Sequence, residues 1–294
     1  MDGRQLEYFL AVADELNFTR AAQSVYAVQS TVSAGIRSLE RELGTTLFDR
    51  GPHGVALTPL GEELVPAARA ALEALQRVAD LADTSAGLRG RLRVGIFTNL
   101  STIDLPGVLG EFHRRHPRVD LQLGPSPTGS AGLADDVRSG RLDAALFGLP
   151  EAPAGLREHR LASSRFVAIL PDGHPLAERA SVPLAELVAE RFVDAREGFG
   201  NRATLDAALA QRGLSRRVAT ELSDLGEIPR FVAAGLGVGA LPELTVIPAP
   251  GAVVRPLRER VDWQLRLVTR PHPSAATEAL VALLEERFGE RRQS

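Results

Sequence analysis

Gln29, Ser30, Thr31, Ser33, Arg37 and Arg41 are the side chains whose types and spacing first suggest chemistry. An amide can bond an adenine edge twice, hydroxyls can reach bases or phosphates, and guanidinium groups suit guanine or phosphate oxygens. Val32, Ile36, Leu39 and Leu43 lie between them with the spacing of one buried helical stripe, which leaves Gln29, Ser30, Ser33, Arg37 and Arg41 on the opposite, solvated face. A shorter helix comes first. Thr19 is expected to cap it, because its hydroxyl can accept an N–H that the first turn leaves unpaired. Ala21, Ala22 and Val25 give that helix a small-residue face, and the chain turns at Ala27-Val28. Residues 18–37 therefore read as a helix-turn-helix with its reading helix near residues 29–42. An ordinary amphipathic helical hairpin also carries polar groups outside, so the flanking segments must decide.

Upstream, a helix from about Arg4 to Glu15 places Leu6, Phe9, Leu10 and Ala13 on one face, and Phe18 follows as a core plug. Gly44 stops the reading helix as a left-handed cap. TTLFDR and GVALT are short strands joined by Gly51-Pro52-His53-Gly54, a hairpin that offers Arg50 and His53 to phosphates or the minor groove. A solvated turn with an incidental arginine is the plainer alternative. Thr58-Pro59 starts another helix, with Thr at the N-cap and Pro where a missing N–H costs nothing. Glu62 and Glu63 suit its positive end, and it runs to about Thr84 with a bend at Pro66. Leu64, Ala68, Ala71, Leu75, Val78 and Ala82 alternate by four and three, a coiled-coil seam. A second copy of the chain is the simplest partner for that seam; packing on its own domain is the alternative. The expected boundaries are a DNA-reading module at 1–58, a dimerisation helix at 59–87 and a larger domain at 91–294, reached through the small-residue stretch SAGLRG at 85–90.

From residue 91 strands alternate with helices: RLRVGIF, VDLQL and DAALFG, then RFVAIL, RFVDA, RVATEL, VGALP and WQLRLVT. This implies parallel sheet with right-handed crossovers in two α/β halves, about 91–162 with 266–294, and 163–265. A ligand would sit between such halves, at strand ends and helix N-termini. Polar groups gather at three strand ends: Thr98, Asn99 and Ser101; Thr128, Gly129 and Ser130 before a helix; and Arg196, Gly198, Phe199 and Asn201. Free N–H groups at a helix start favour a carboxylate. Phe147, closing DAALFG, is placed with them. Singly, each is an ordinary turn or cap residue. Gly235–Gly239 lacks dinucleotide-loop spacing. His113 and His116 have no third ligand, and Asp135-Asp136 and Glu285-Glu286 read as solvated faces, so no metal or cofactor is expected.

Composition narrows the classes. The 294 residues contain no cysteine, which removes disulfides, thiolate metal sites and cysteine nucleophiles together. All 34 basic residues are arginine, yet residues 1–58 hold five of them against seven acids. Any affinity for nucleic acid must come from where the arginines sit. No apolar run could span a bilayer and no signal peptide fits the N-terminus, so a cytoplasmic location is expected. No nucleophile elbow or phosphate loop supports an α/β enzyme.

The sequence resembles the LysR-type transcriptional regulators over nearly its full length. RQLEYFLAVADELNFTRAA, VQSTVSAGIRSLERELGTTLFDR and GVALTPLGEEL carry the specific match; RLRVGIF, RSGRLDAALFG and ELSDL with VAAGLGVGALP match more loosely. The resemblance implies a winged helix-turn-helix, a dimerising linker helix and an effector domain like periplasmic binding proteins. It also implies dimers that pair into tetramers on double-stranded promoter DNA, and a small effector in a cleft lined by the three polar loops. The chain departs from the family pattern at Val28, often Ser or Thr, at Ser30, usually Pro, and at Ala34, often Arg. Base readout is therefore expected to lean on Gln29, Ser30, Thr31, Ser33 and Arg37, with Arg50 and His53 from the wing; Ser30 could replace the lost cap. The function expected is promoter binding modulated by a small anion. The rival is a cytoplasmic solute-binding protein without regulatory activity, which leaves residues 1–60 unexplained.

Overall fold

A computed structural model describes residues 1–51, 54–82, 87–96, 104–126, 129–151 and 154–289. They form two compact units, Met1–Gly87 and Leu88–Ser294. None of the described helices is long and apolar enough to cross a membrane.

In the first unit, α1 (Gly3–Glu15) starts with a capping box between Asp2 and Gln5. The cap of α2 (Phe18–Ser24) is Asn17, not Thr19: its Oδ1 accepts the N–H groups of Thr19 at 2.9 Å and Arg20 at 3.1 Å. A cap needs extended backbone, and Asn17 has it at φ −155°, ψ 117°, whereas Thr19 already lies in the first helical turn. The next helix, α3 (Gln29–Leu43), ends at Gly44 with φ +68°. Val32, Ile36 and Leu39 are fully buried, while Leu43 is exposed. Strands β1 (Phe48–Gly51) and β2 (Gly54–Leu57) pair antiparallel, with Phe48 opposite Leu57.

Thr58 Oγ1 accepts the Gly61 N–H at 3.0 Å where α4 (Pro59–Ala82) begins. Val65 and Ala68 of α4 join the core of Phe9, Val12, Ala21, Ile36 and Leu47, and Arg69 pairs with Asp14 of α1. Two glycines permit close approaches. Gly35 lies beneath the Tyr8 ring, which is a structural reason for a weak helix former there. A Cβ on Gly61 would lie inside the van der Waals shell of the Leu47 carbonyl oxygen. Backbone cannot rotate away as a side chain can, so Gly61→Ala is expected to cost about 1–3 kcal/mol, as overpacking does. Chemical denaturation of the full chain, followed by a probe in α4, should show the lower midpoint.

The second unit contains β3 (Arg89–Ile96), α5 (Leu105–Arg115), β4 (Arg118–Pro125), α6 (Gly129–Arg138), β5 (Ala144–Phe147) and β6 (Arg157–Pro171). There follow α7 (Leu184–Leu187), β7 (Arg191–Ala195), α8 (Gly200–Ala210), β8 (Arg217–Leu222), α9 (Ile228–Ala233), β9 (Gly239–Pro242), β10 (Ala252–Pro256), β11 (Asp262–Thr269) and α10 (Ala275–Gly289). The main sheet runs β10-β6-β11-β5-β3-β4, with β9 also on β6. β3 pairs parallel with β4 and β5, and β7 with β8, as strand–helix–strand crossovers require.

The connection between the halves differs from the expected pattern. β6 is one 15-residue strand, pairing with β11 over its first part and with β9 and β10 from Phe166 onward. Its alternating start, REHRLASS, is too polar to read as a strand alone, and pairing with β11 makes it one. β11 pairs with β6 from Asp262 onward and with β5 of the first half from Arg266. His116 caps the C-terminus of α5 and lies on Phe112, with ring centroids 5.0 Å apart.

Candidate functional site

Two groups of residues stand out, one in each unit. In the first unit the exposed side of α3 carries Gln29, Ser30, Thr31, Arg37 and Arg41. Ser33 does not belong with them: it is 9% exposed, and its Oγ accepts from Arg37 Nη1 at 2.9 Å. It sits beside Val32 on the flank that rotates towards the core, so its hydroxyl holds Arg37 and is not itself presented outside. Thr19 is exposed in the first turn of α2. Arg50 is exposed on β1, its guanidinium 4.5 Å from the centre of the Phe18 ring, which fixes the stem of a long side chain. His53 lies outside the described residues.

The start of α3 holds two residues that the sequence reading missed as candidates. Val28 is its N-cap, extended at ψ 146° with no side-chain cap, which forgoes about 1 kcal/mol. Ser30 lies within the first turn and does not replace it. Tyr26 ends α2 at φ +53°, a left-handed conformation that costs a bulky L residue about 1–2 kcal/mol. Tyr26 is 98% exposed and Val28 66%. An aromatic in a glycine slot was the available signal.

Along α4 the apolar seam divides. Ala68 is buried in its own unit, not free for a partner, and Leu64 and Ala71 pack half-buried against the same core, because α4 lies on α1 there. Leu75 and Val78 remain exposed.

In the second unit a narrow cavity opens between the halves. Ser130 and Gly148 line it from one side, Phe199, Gly200, Asn201, Leu225 and Thr245 from the other, and Trp263 from the start of β11. The N-termini of α6 and α8 both meet it. Each presents N–H groups without intrahelical partners, and so a partial positive charge. Ser130 Oγ accepts the Gly148 N–H at 3.2 Å, and the Ala131 N–H donates to the Gly198 carbonyl at 3.3 Å across the halves. Backbone meets backbone so closely at Gly148 and Gly200 that no side chain fits on Gly200. The side-chain nitrogen of Asn201 is buried with no partner.

Of the expected residues, this site unites Gly129, Ser130, Phe199 and Asn201. Gly129 abuts Phe199 at φ +65°. Phe147 is not part of the wall: it is fully buried in the core, and strand alternation presents Gly148 instead. The Arg196 side chain is exposed and does not line the cavity; its backbone is engaged, the N–H with Leu222 O at 3.2 Å and the carbonyl with the Phe199 N–H at 3.4 Å. Thr98, Asn99, Ser101 and Thr128 lie outside the described residues. Gly148, Leu225, Thr245 and Trp263 come from separate elements without a shared motif, and only the lone tryptophan hinted at its place.

An ion cluster fastens α8 behind this wall. Asp194 on β7 and Arg216 before β8 are almost fully buried and lie 2.5 Å apart, with Asp206 of α8 2.9 Å from Arg216. The Arg216 guanidinium also lies 5.0 Å from the centre of the Phe192 ring. Arg202 of α8 donates to Ala195 O at 2.8 Å and to Glu221 at 2.9 Å. Burial raises the Asp194 carboxyl to about 6, outweighing the pull of Arg216 and of the Ala195 N–H. Desolvation likewise lowers Arg216.

Comparison with known proteins places both units. Residues 3–62 match the family model described as bacterial regulatory helix-turn-helix protein, lysR family, and residues 85–289 match the LysR substrate binding domain. The transcriptional dual regulator GltC of Bacillus subtilis is 34% identical over 83% of this chain and 82% of its own length. A Streptomyces viridosporus protein named "Probable hydrogen peroxide-inducible genes activator" is 34% identical over 82% and 78%. Full-length OxyR from Pseudomonas aeruginosa, solved as a variant, superposes with a TM-score of 0.78 at 29% identity, covering 97% of this chain and 95% of that one.

Proposed function

The chain belongs to the LysR family of bacterial transcriptional regulators, and from that premise we propose that a small anion in the cleft of the second unit controls its promoter binding. The observation that carries this reading is the convergence of two helix N-termini on the buried, unpartnered amide of Asn201. No acidic side chain stands among the described lining residues, so a carboxylate would meet donors without repulsion. Occupancy favours one arrangement of the two halves, and that preference passes to DNA through subunit contacts. The winged module of residues 1–58 reads double-stranded promoter DNA in the cytoplasm. Leu75 and Val78 of α4 supply the homodimer seam, and dimers pair into a homotetramer.

The relative named for peroxide suggests a second reading, which the composition disfavours. This chain has no cysteine, and its one methionine is Met1, so no thiol is present to be oxidised and reduced again. The signal is read by reversible, non-covalent binding.

Thermal shift of the full chain against small mono- and dicarboxylates tests the proposal. A ligand at a hundred times its Kd adds about 2.7 kcal/mol to stability, enough to move a melting curve visibly. Asn201→Leu is expected to remove that shift while leaving DNA binding without effector intact. A panel in which no carboxylate stabilises the chain, or a leucine variant that keeps the full shift, defeats the anion reading. Footprints absent upstream of its own and neighbouring genes would favour the plain solute binder.

A further inference from the structure

The turn into α3 is built from residues that the backbone does not favour. Ala27 N–H donates to Ala22 O at 2.8 Å and Tyr26 N–H to Gln23 O at 3.2 Å, the paired bonds of a Schellman turn. Tyr26 occupies the left-handed position of that turn, where glycine or asparagine fits best. Two residues on, Val28 holds an N-cap position where a hydroxyl or carboxylate would bond the helix start. Tyr26 is almost wholly exposed and Val28 mostly so, and folding gains little burial in return. Strained or suboptimal residues that bury little direct attention to a contact outside the chain.

What that contact is follows from position. Val28 immediately precedes Gln29, the first residue of α3, and the N-terminal residues of a reading helix are those that reach base edges. In the major groove the one apolar feature on a base is the 5-methyl group of thymine. We propose that Tyr26 and Val28 read thymine, packing the phenol ring and the isopropyl group against 5-methyl groups beside the base addressed by Gln29. The inference rests on α3 being the DNA-facing helix and adds an apolar readout beside its polar one.

The experiment starts from duplexes selected out of a randomised pool by the full-length protein. In the selected site each thymine is replaced in turn by deoxyuridine, which removes the methyl group alone, and Kd is measured at one fixed salt concentration. One or two positions in each half-site should lose about fourfold in affinity, the worth of one buried methyl group. The double variant Tyr26→Gly with Val28→Ser installs the residues that the turn and the cap prefer. It should melt higher than the wild type, bind the selected site more weakly, and no longer distinguish thymine from uracil. Unchanged wild-type affinity with uracil at every thymine position overturns the proposal, as does a double variant that retains the preference. That outcome would leave the patch to a protein partner. A pool in which no sequence is enriched removes the DNA-facing role of α3 itself.

Discussion

Replacing Gln29 and Arg37 together by alanine is expected to lower affinity for the selected operator about a hundredfold or more. Both side chains stand on the exposed side of α3, outside its buried stripe. The one described bond of Arg37 is to Ser33, at 2.9 Å. Alanine is the best helix former, so α3 and its buried stripe of Val32, Ile36 and Leu39 stay intact. A bidentate amide or guanidinium contact to a base discriminates by about 1–3 kcal/mol, and two such losses compound. The module carries no basic excess to compensate through non-specific attraction. Gel-shift titration at several salt concentrations checks this. If Arg37 meets a phosphate, the salt dependence should also fall by about one ion per site. A loss under tenfold with unchanged melting would mean that α3 does not carry the readout.

The second large effect lies in the ion cluster behind the cleft. Asp194→Ala is expected to destabilise the second unit by about 3–5 kcal/mol, because it strands the buried guanidinium of Arg216. Asp206 of α8, partly exposed, is a partial substitute at 2.9 Å. Arg216→Met should cost less, since an orphaned carboxylate can take up a proton and an orphaned guanidinium cannot release one.

The same pair gives a pH signature. Burial pushes the Asp194 carboxyl up to about 6 in the fold, against an ordinary aspartate value of 3.8. Between those values the folded state holds the proton that the unfolded chain has lost. The proton-linked part of the contribution of Asp194 to stability is therefore present in full at the acid end and is lost as pH rises from about 4 to about 6, on top of the pairing with Arg216. Urea melts from pH 4 to 7 should show the gap between wild type and Asp194→Ala widening toward pH 4. A gap that is flat, or that opens in the other direction, contradicts this account of the pair.

How much the sequence disclosed depended on whether a feature was local. The stripe of α3 from Val32 to Leu39, the glycine at its end and the Thr58-Pro59 start are set by residues within a few positions of one another and form as expected, while Leu43, at the last turn of the stripe, is exposed. Asn17 displaced Thr19 as a cap because capping follows backbone angles that spacing alone does not reveal. Ser33 turned inward because it lies at the border between stripe and face, where one residue's rotation decides. The cleft was half legible. Gly129, Ser130, Phe199 and Asn201 belong to helix starts that punctuation marks, whereas Gly148, Leu225, Thr245 and Trp263 are joined only by the tertiary fold. Arg196 promised a charge that its exposed loop position does not deliver to the cavity.

Trp263 is the one tryptophan of the chain, and its indole lies against Gly148 in the cavity wall. The protein thus carries a single indole fluorophore, at the place where the two halves of its second unit meet. Emission excited selectively in the indole band comes from that one position, with no background from the DNA-reading unit. A molecule entering the cavity, or the halves parting around it, changes the polarity around that ring. Occupancy can therefore be followed in the unlabelled regulator, on DNA or off it, by the colour and intensity of its own light.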